Sequence, residues 1–171
     1  MNYPFLYQKI GQFDVQELIS NLQISPEQIV IWDDWNLCEA KSTLVSDFVK
    51  NKIPQLNLFN DQIYVSQGIS SNFHIDRFQM HHLLHRVLIP LQDTFKYQWI
   101  INDELIEYQP ICGEVLLFNN MLPHRFVSDQ KILRSVIYFD LCDPLTENII
   151  PKLNGNYSEE NGHIAEKYKN L

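Results

Sequence analysis

Residues 70–82, SSNFHIDRFQMHH, place a histidine two positions before an aspartate at the end of an apolar–polar run. Read as a strand, NFHID puts His74 and Asp76 on one face, about 7 Å apart along the chain. At that spacing an imidazole and a carboxylate reach one cation. The next informative histidine is His124 in FNNMLPHRF, with forty-seven residues between it and Asp76. It follows a strand-like run and a proline, where a neighbouring strand begins. Two histidines and a carboxylate on one face are a ligand set suited to non-haem Fe(II), with positions left open for a co-substrate and dioxygen. Nine residues separate His124 from Arg134, which opens the run RSVIYFDL. Alternation there puts Arg134, Val136 and Tyr138 on one face. A guanidinium stays charged and grips a carboxylate through two parallel hydrogen bonds. A dicarboxylate chelating a metal at one end needs such an anchor at the other.

The elements that must position these groups read as follows. FDVQELISNL (13–22) has helical apolar spacing with Asp14 as N-cap. SPEQIVIW (25–32) opens on a helix-start or turn signal, and TLVSDFVKN (43–51) fits a strand or a short helix. From about residue 62 short apolar or alternating runs follow: QIYVSQG, RVLIPL, YQWII, EVLLFNN, RFVSD and RSVIYFDL. Gly68 and Gly113 sit at run boundaries, and WIINDELIEY reads as a hairpin around Asn102-Asp103. Strands at this spacing predict a sandwich or barrel. The chain divides into an N-terminal support region to about residue 60, a β core over about 61–142, and a polar stretch over 143–171.

Composition narrows the class. The chain has 171 residues, enough for one domain with a sizeable core. A net charge of −8 argues against a broad nucleic-acid surface. Cys38, Cys112 and Cys142 form no CxxC and no disulfide framework, which favours a reducing compartment. The first residues lack a basic segment followed by an apolar run, and no stretch reaches the roughly 18 apolar residues of a membrane span. The expected class is a soluble, cytoplasmic, acidic single domain.

Other candidates have plainer readings beside the functional one. His81 and His85 stand four apart, the spacing at which a helix holds zinc. However, MHHLLH, which includes His82, has no glutamate base after its first histidine and runs into β-rich sequence, so it reads as a polar loop or strand edge. His163 lies in the polar stretch. Asp33, Asp34 and Glu39, with Trp32 and Trp35, line either a substrate mouth or an acidic turn. Tyr97, Trp99 and Tyr138 are core aromatics or substrate contacts.

The ordered set His74-x-Asp76, His124 and Arg134 resembles the aspartyl/asparaginyl β-hydroxylase and proline hydroxylase family of Fe(II)/2-oxoglutarate-dependent dioxygenases. HRVLIPL (85–91), CGEVLLFNN (112–120) and RSVIYFDL (134–141) support the likeness, as does IGQFDVQELISNL near the N-terminus; together they cover about residues 9–142. The resemblance implies a mainly β fold, a double-stranded β-helix (jelly roll, cupin-like) with N-terminal helices packed on it. It implies iron on His74, Asp76 and His124, the distal carboxylate of 2-oxoglutarate on Arg134, and Arg86 facing a co-substrate or substrate carboxylate. Leu88 departs from the family pattern, in which a histidine often stands two residues after that arginine. Asp76 fills the position whose absence leaves room for halide, so hydroxylation is implied. The chemistry would consume dioxygen and convert 2-oxoglutarate to succinate and CO2 while an unactivated C–H bond of an amino acid, free or peptide-linked, becomes C–OH. A different class, a non-catalytic cupin-like protein binding a small carboxylate or sensing it, would use the same pocket.

All four arginines, Arg77, Arg86, Arg125 and Arg134, fall between the first proposed ligand strand and the strand after the third ligand. Arg77 and Arg125 directly follow ligands, so on an ideal strand they point away from the metal. Arg86 and Arg134 remain as inward candidates. If one serves 2-oxoglutarate, the other is available for a substrate carboxylate.

Overall fold

The computed structural model describes residues 6–32, 35–52, 58–68, 70, 73–74, 77–78, 81–82, 85–101, 103–119, 123–128 and 132–140. Among them the order is β1 (Tyr7–Gln12), α1 (Val15–Asn21), β2 (Gln23–Trp32), β3 (Trp35–Lys41), α2 (Thr43–Lys52), β4 (Leu58–Gly68), β5 (Arg77–Phe78), β6 (His81–His82), β7 (His85–Pro90), β8 (Phe95–Ile101), β9 (Glu104–Tyr108), β10 (Glu114–Asn119), β11 (His124–Ser128) and β12 (Ile132–Asp140). Every described strand pair is antiparallel. One seven-stranded sheet runs β1-β10-β7-β12-β4-β3-β2, a three-stranded sheet runs β11-β8-β9, and β5 pairs with β6. The polar stretch 143–171, with Cys142 before it, lies outside the described residues.

Local chemistry explains most of these elements. Asp14 caps α1, its Oδ1 accepting from the Glu17 N–H at 2.9 Å. Ser42 accepts the Val45 N–H at 3.2 Å, and its hydroxyl pairs with Asn21 Oδ1 at 2.7 Å, which ties the start of α2 to the end of α1. With Val45 and Val49 buried four apart, the 43–51 segment is a helix rather than a strand. The Ser25-Pro26-Glu27 signal starts no helix; it lies inside β2. The β2–β3 register shifts between Ile24 and Ile29, and the proline sits in that irregularity, where no ladder bond is required of it. The expected hairpin is present: Ile101 faces Glu104, and Asp103 between them takes a φ of 66°.

Strands β7 and β10 of the seven-stranded sheet are covered on both faces. On one, Leu18, Val45 and Val49 of the helices pack on Ile63, Val65, Val87, Ile89 and Val115. On the other, Leu88, Leu116 and Phe118 meet Phe95, Tyr97, Trp99 and Phe126 of the smaller sheet. Trp99 stacks on Phe118 with ring centres 4.9 Å apart, so the two sheets form a β-sandwich with an aromatic interior. The N-terminal strands belong to this sandwich directly, since β1 pairs with β10 and β3 with β4. No described helix is long and apolar enough to cross a membrane.

The β1 edge is held by Glu114, 3% exposed at the start of β10. Its carboxylate accepts from Tyr108 Oη at 2.6 Å, the Ile111 N–H at 3.0 Å and Lys9 Nζ at 3.2 Å. Gly113 just before it has a φ of 79°, and a Cβ there would run into the Phe13 carbonyl oxygen. Burial pushes the Glu114 carboxyl up, but the three donors outweigh burial and hold it below the ordinary carboxylate range. A depressed carboxyl stabilises the fold fully above its unfolded pKa and loses that contribution as pH falls through its folded value. Glu114→Gln is therefore expected to lower stability at neutral pH by about 1–3 kcal/mol. It should also flatten the acid loss of stability that sets in below the unfolded carboxyl pKa of about 4.3 in urea titrations. An equally steep acid loss in the variant would assign that loss to other carboxyls.

Candidate functional site

His74 and His124, fifty residues apart in sequence, form a single antiparallel bridge. Each backbone N–H donates to the other's carbonyl at 3.0 Å. A pair that exchanges both bonds presents both side chains to the same face. The rings lie 4.5 Å apart, centre to centre, tilted by 54°. With a metal–nitrogen bond of about 2.1 Å and each ring centre about 1.2 Å beyond its nitrogen, two imidazoles on adjacent positions of an octahedral ion have centres about 4.6 Å apart. The histidine pair thus has the spacing of two ligands to one ion. Both residues are buried, at 5% and 0% exposure.

The surroundings are apolar and aromatic. His124 stands opposite Trp99 in the β11–β8 register, and Phe118 meets its ring edge-on at 5.1 Å. The Trp99 indole Nε1, on a residue the sequence offered as a core aromatic or a substrate contact, is buried and without a hydrogen-bond partner. Such walls exclude water and strengthen the electrostatic interactions within.

Arg86 stands in β7, directly opposite Phe118 in β10, and is 3% exposed. It shares a face with Leu88, which packs toward the smaller sheet. Phe118 thus touches the His124 ring and neighbours Arg86 across the ladder, where Cβ atoms are about 5 Å apart. The guanidinium and the imidazoles belong to the same inter-sheet interior. Leu88, where the family pattern often has histidine, is fully buried in that core.

Arg134 lies in β12, where the register against β4 shifts between Leu133 and Ser135. The strict alternation behind the expected shared face of Arg134, Val136 and Tyr138 is interrupted there. The side chain of Arg134 and the whole of Asp76 lie outside the described residues. Ser135 opposes Pro90 and Phe139 opposes Arg86, so the two arginine positions stand at opposite ends of the β7–β12 ladder. Five residues of strand separate the two levels, about 17 Å. Next to the Arg134 position, Ser66 of β4 is fully buried and opposes Ser135; it is a polar group that sequence reasoning did not single out.

Neither the protein-family models nor the curated proteins contain a match to this chain.

Among the described residues no three His, Cys, Asp or Glu side chains gather to hold a metal; the third residue of the expected set is Asp76. The rival zinc arrangement needed a helix through His81 and His85. Instead His81–His82 is β6, paired with Arg77–Phe78, and His85 opens β7. A strand does not bring residues four apart onto one ion as a helical turn does. Trp32 and Trp35 close the β2–β3 hairpin as a cross-strand pair, with Asp33 and Asp34 outside the described residues. Glu39 is half-buried in β3, and Cys38 and Cys112 are half-buried thiols. His163 is outside the described residues. Tyr97 and Trp99 are fully buried in the sandwich core.

Proposed function

We propose that this chain is an Fe(II)/2-oxoglutarate-dependent dioxygenase that hydroxylates an amino acid, free or peptide-linked, in the cytoplasm. Its sandwich would be a double-stranded β-helix of the jelly-roll, cupin-like kind, with the reaction between the sheets. The observation that carries the reading is the buried His74–His124 pair, with ring centres 4.5 Å apart in an aromatic interior. His74, Asp76 and His124 would hold the iron. When bound, the metal supplies the coupled oxidation in which 2-oxoglutarate and dioxygen become succinate and CO2 and one oxygen atom enters a C–H bond.

The chain's own residues supply position and environment. The His74–His124 bridge sets the separation of two imidazoles before any ion arrives. Trp99, Phe118 and Phe126 keep water from the reacting face. Arg134 would anchor the distal carboxylate of 2-oxoglutarate, and Arg86, nearer the histidines through Phe118, would receive a carboxylate of the substrate. A small acid, such as an amino acid or an acidic or C-terminal peptide residue, fits that division.

The direct test incubates the protein with Fe(II), 2-oxoglutarate and dioxygen against panels of free amino acids and peptides. Succinate release and a +16 Da product by mass spectrometry are expected, both lost without dioxygen. Binding of 2-oxoglutarate with no succinate formed under any condition would replace this reading with the non-catalytic carboxylate-binding one.

A further inference from the structure

Among the described residues, His74 and His124 are joined by one bridge with two backbone hydrogen bonds, and a site of this kind needs its geometry held closely. The reverse face of that bridge carries a second pair. In an antiparallel pairing of 74 with 124, residue 73 falls opposite residue 125, and the pleat turns both away from the histidines. The Arg125 guanidinium carbon lies 4.3 Å from the centre of the Phe73 ring. Phe73 is buried and Arg125 half-buried, so the stack is largely shielded from water.

The guanidinium is itself held. Arg125, Gln98 and Glu107 form one cross-strand row over β11, β8 and β9. Arg125 Nε donates to Gln98 Oε1 at 2.6 Å, and Gln98 Nε2 donates to Glu107 Oε1. Lys96 Nζ reaches the other Glu107 oxygen at 3.3 Å. The row spans the smaller sheet and ends on the residue that precedes His74.

We propose that Phe73 and Arg125 are positioning residues: stacked on the outer face of the bridge, they fix the separation and tilt of the His74 and His124 rings and so preorganise them for a metal. The inference rests on the reading of these histidines as ligands. It gives Arg125, which points away from the histidine face, a defined task. Groups outside the ligand shell that orient ligands commonly change metal affinity about 10–100-fold.

The test is Co(II) titration of the full chain by calorimetry and by the visible d–d spectrum, with thermal unfolding of each apoprotein measured alongside. Phe73→Leu and Arg125→Gln should each weaken Co(II) binding about tenfold and alter the d–d bands. The double variant should lose little more than either single one, because both remove the same contact. Phe73→Tyr, which keeps an aromatic face under the guanidinium, should retain the affinity and spectrum of the unaltered chain. A purely structural role would lower the melting temperature and leave the affinity and spectrum of the folded fraction unchanged, which overturns the proposal. Unchanged affinity in both single variants, with the unaltered chain binding Co(II), overturns it as well and leaves the metal reading standing. No Co(II) binding by the unaltered chain overturns the metal reading and the positioning role together.

Discussion

His124→Ala is expected to abolish tight Fe(II) binding and 2-oxoglutarate turnover together. His124 is fully buried, bridged to His74 through its backbone, and packed edge-on against Phe118. Its backbone bonds do not depend on the side chain, so the substitution deletes an imidazole and leaves the bridge. Alterations outside a ligand shell already cost about 10–100-fold in affinity, and loss of a ligand should exceed that. His74→Ala is expected to do the same from the other side of the bridge. Calorimetric Fe(II) titration under anaerobic conditions, paired with succinate release, measures both effects. Full activity in both variants would remove the proposed iron site.

Arg86→Ala should raise the substrate concentration required for turnover by more than about tenfold, with a smaller effect on the 2-oxoglutarate requirement. Removing one partner of a desolvated charge pair costs on the order of 2–5 kcal/mol, which sets that scale. Arg86 is 3% exposed, faces Phe118, and lies at the end of the ladder away from Arg134. Arg134→Ala should show the reverse split, raising chiefly the 2-oxoglutarate requirement. Arg134→Lys should recover only part of the loss, since an ammonium cannot reproduce the two-pronged contact. Separate saturation curves in each ligand distinguish the roles, and Arg86→Lys keeps a cation where Arg86→Ala disturbs the core. If Arg86→Ala impaired only 2-oxoglutarate binding, or if every accepted substrate lacked a carboxylate, Arg86 would lose its proposed role.

Short-range chemistry made much of the architecture legible in the chain itself. Asp14 followed by helical apolar spacing defines α1, because the cap and the buried stripe are both local. The short apolar or alternating runs became β4, β7, β8, β10, β11 and β12, because a strand buried on one face alternates and one buried on both reads as a short continuous apolar run. Asn102-Asp103 marked its hairpin, because few residues accept a positive φ. His74 and His124 could be singled out by residue type and spacing, and the two do meet; Arg86 was marked by the family resemblance. Ser25-Pro26-Glu27 misled, because a proline inside a strand is tolerated at a register shift that only the partner strand reveals.

Tertiary structure decided what depends on pairing across long sequence separations. A count of residues between His74 and His124 contains no information on whether their strands adjoin; the 3.0 Å exchange of backbone bonds does. The cation held over Phe73 by a row across three strands is likewise invisible in sequence, because its members come from residues 73, 98, 107 and 125. The irregularity at Arg134 shows the same limit, since alternation is a property of an ideal strand and a bulge is set by the neighbour it pairs with. Residue type and local period determine which elements form and which side chains are capable of chemistry. Register and sheet packing determine which of those side chains share one interior, because only non-local hydrogen bonds and burial bring them there.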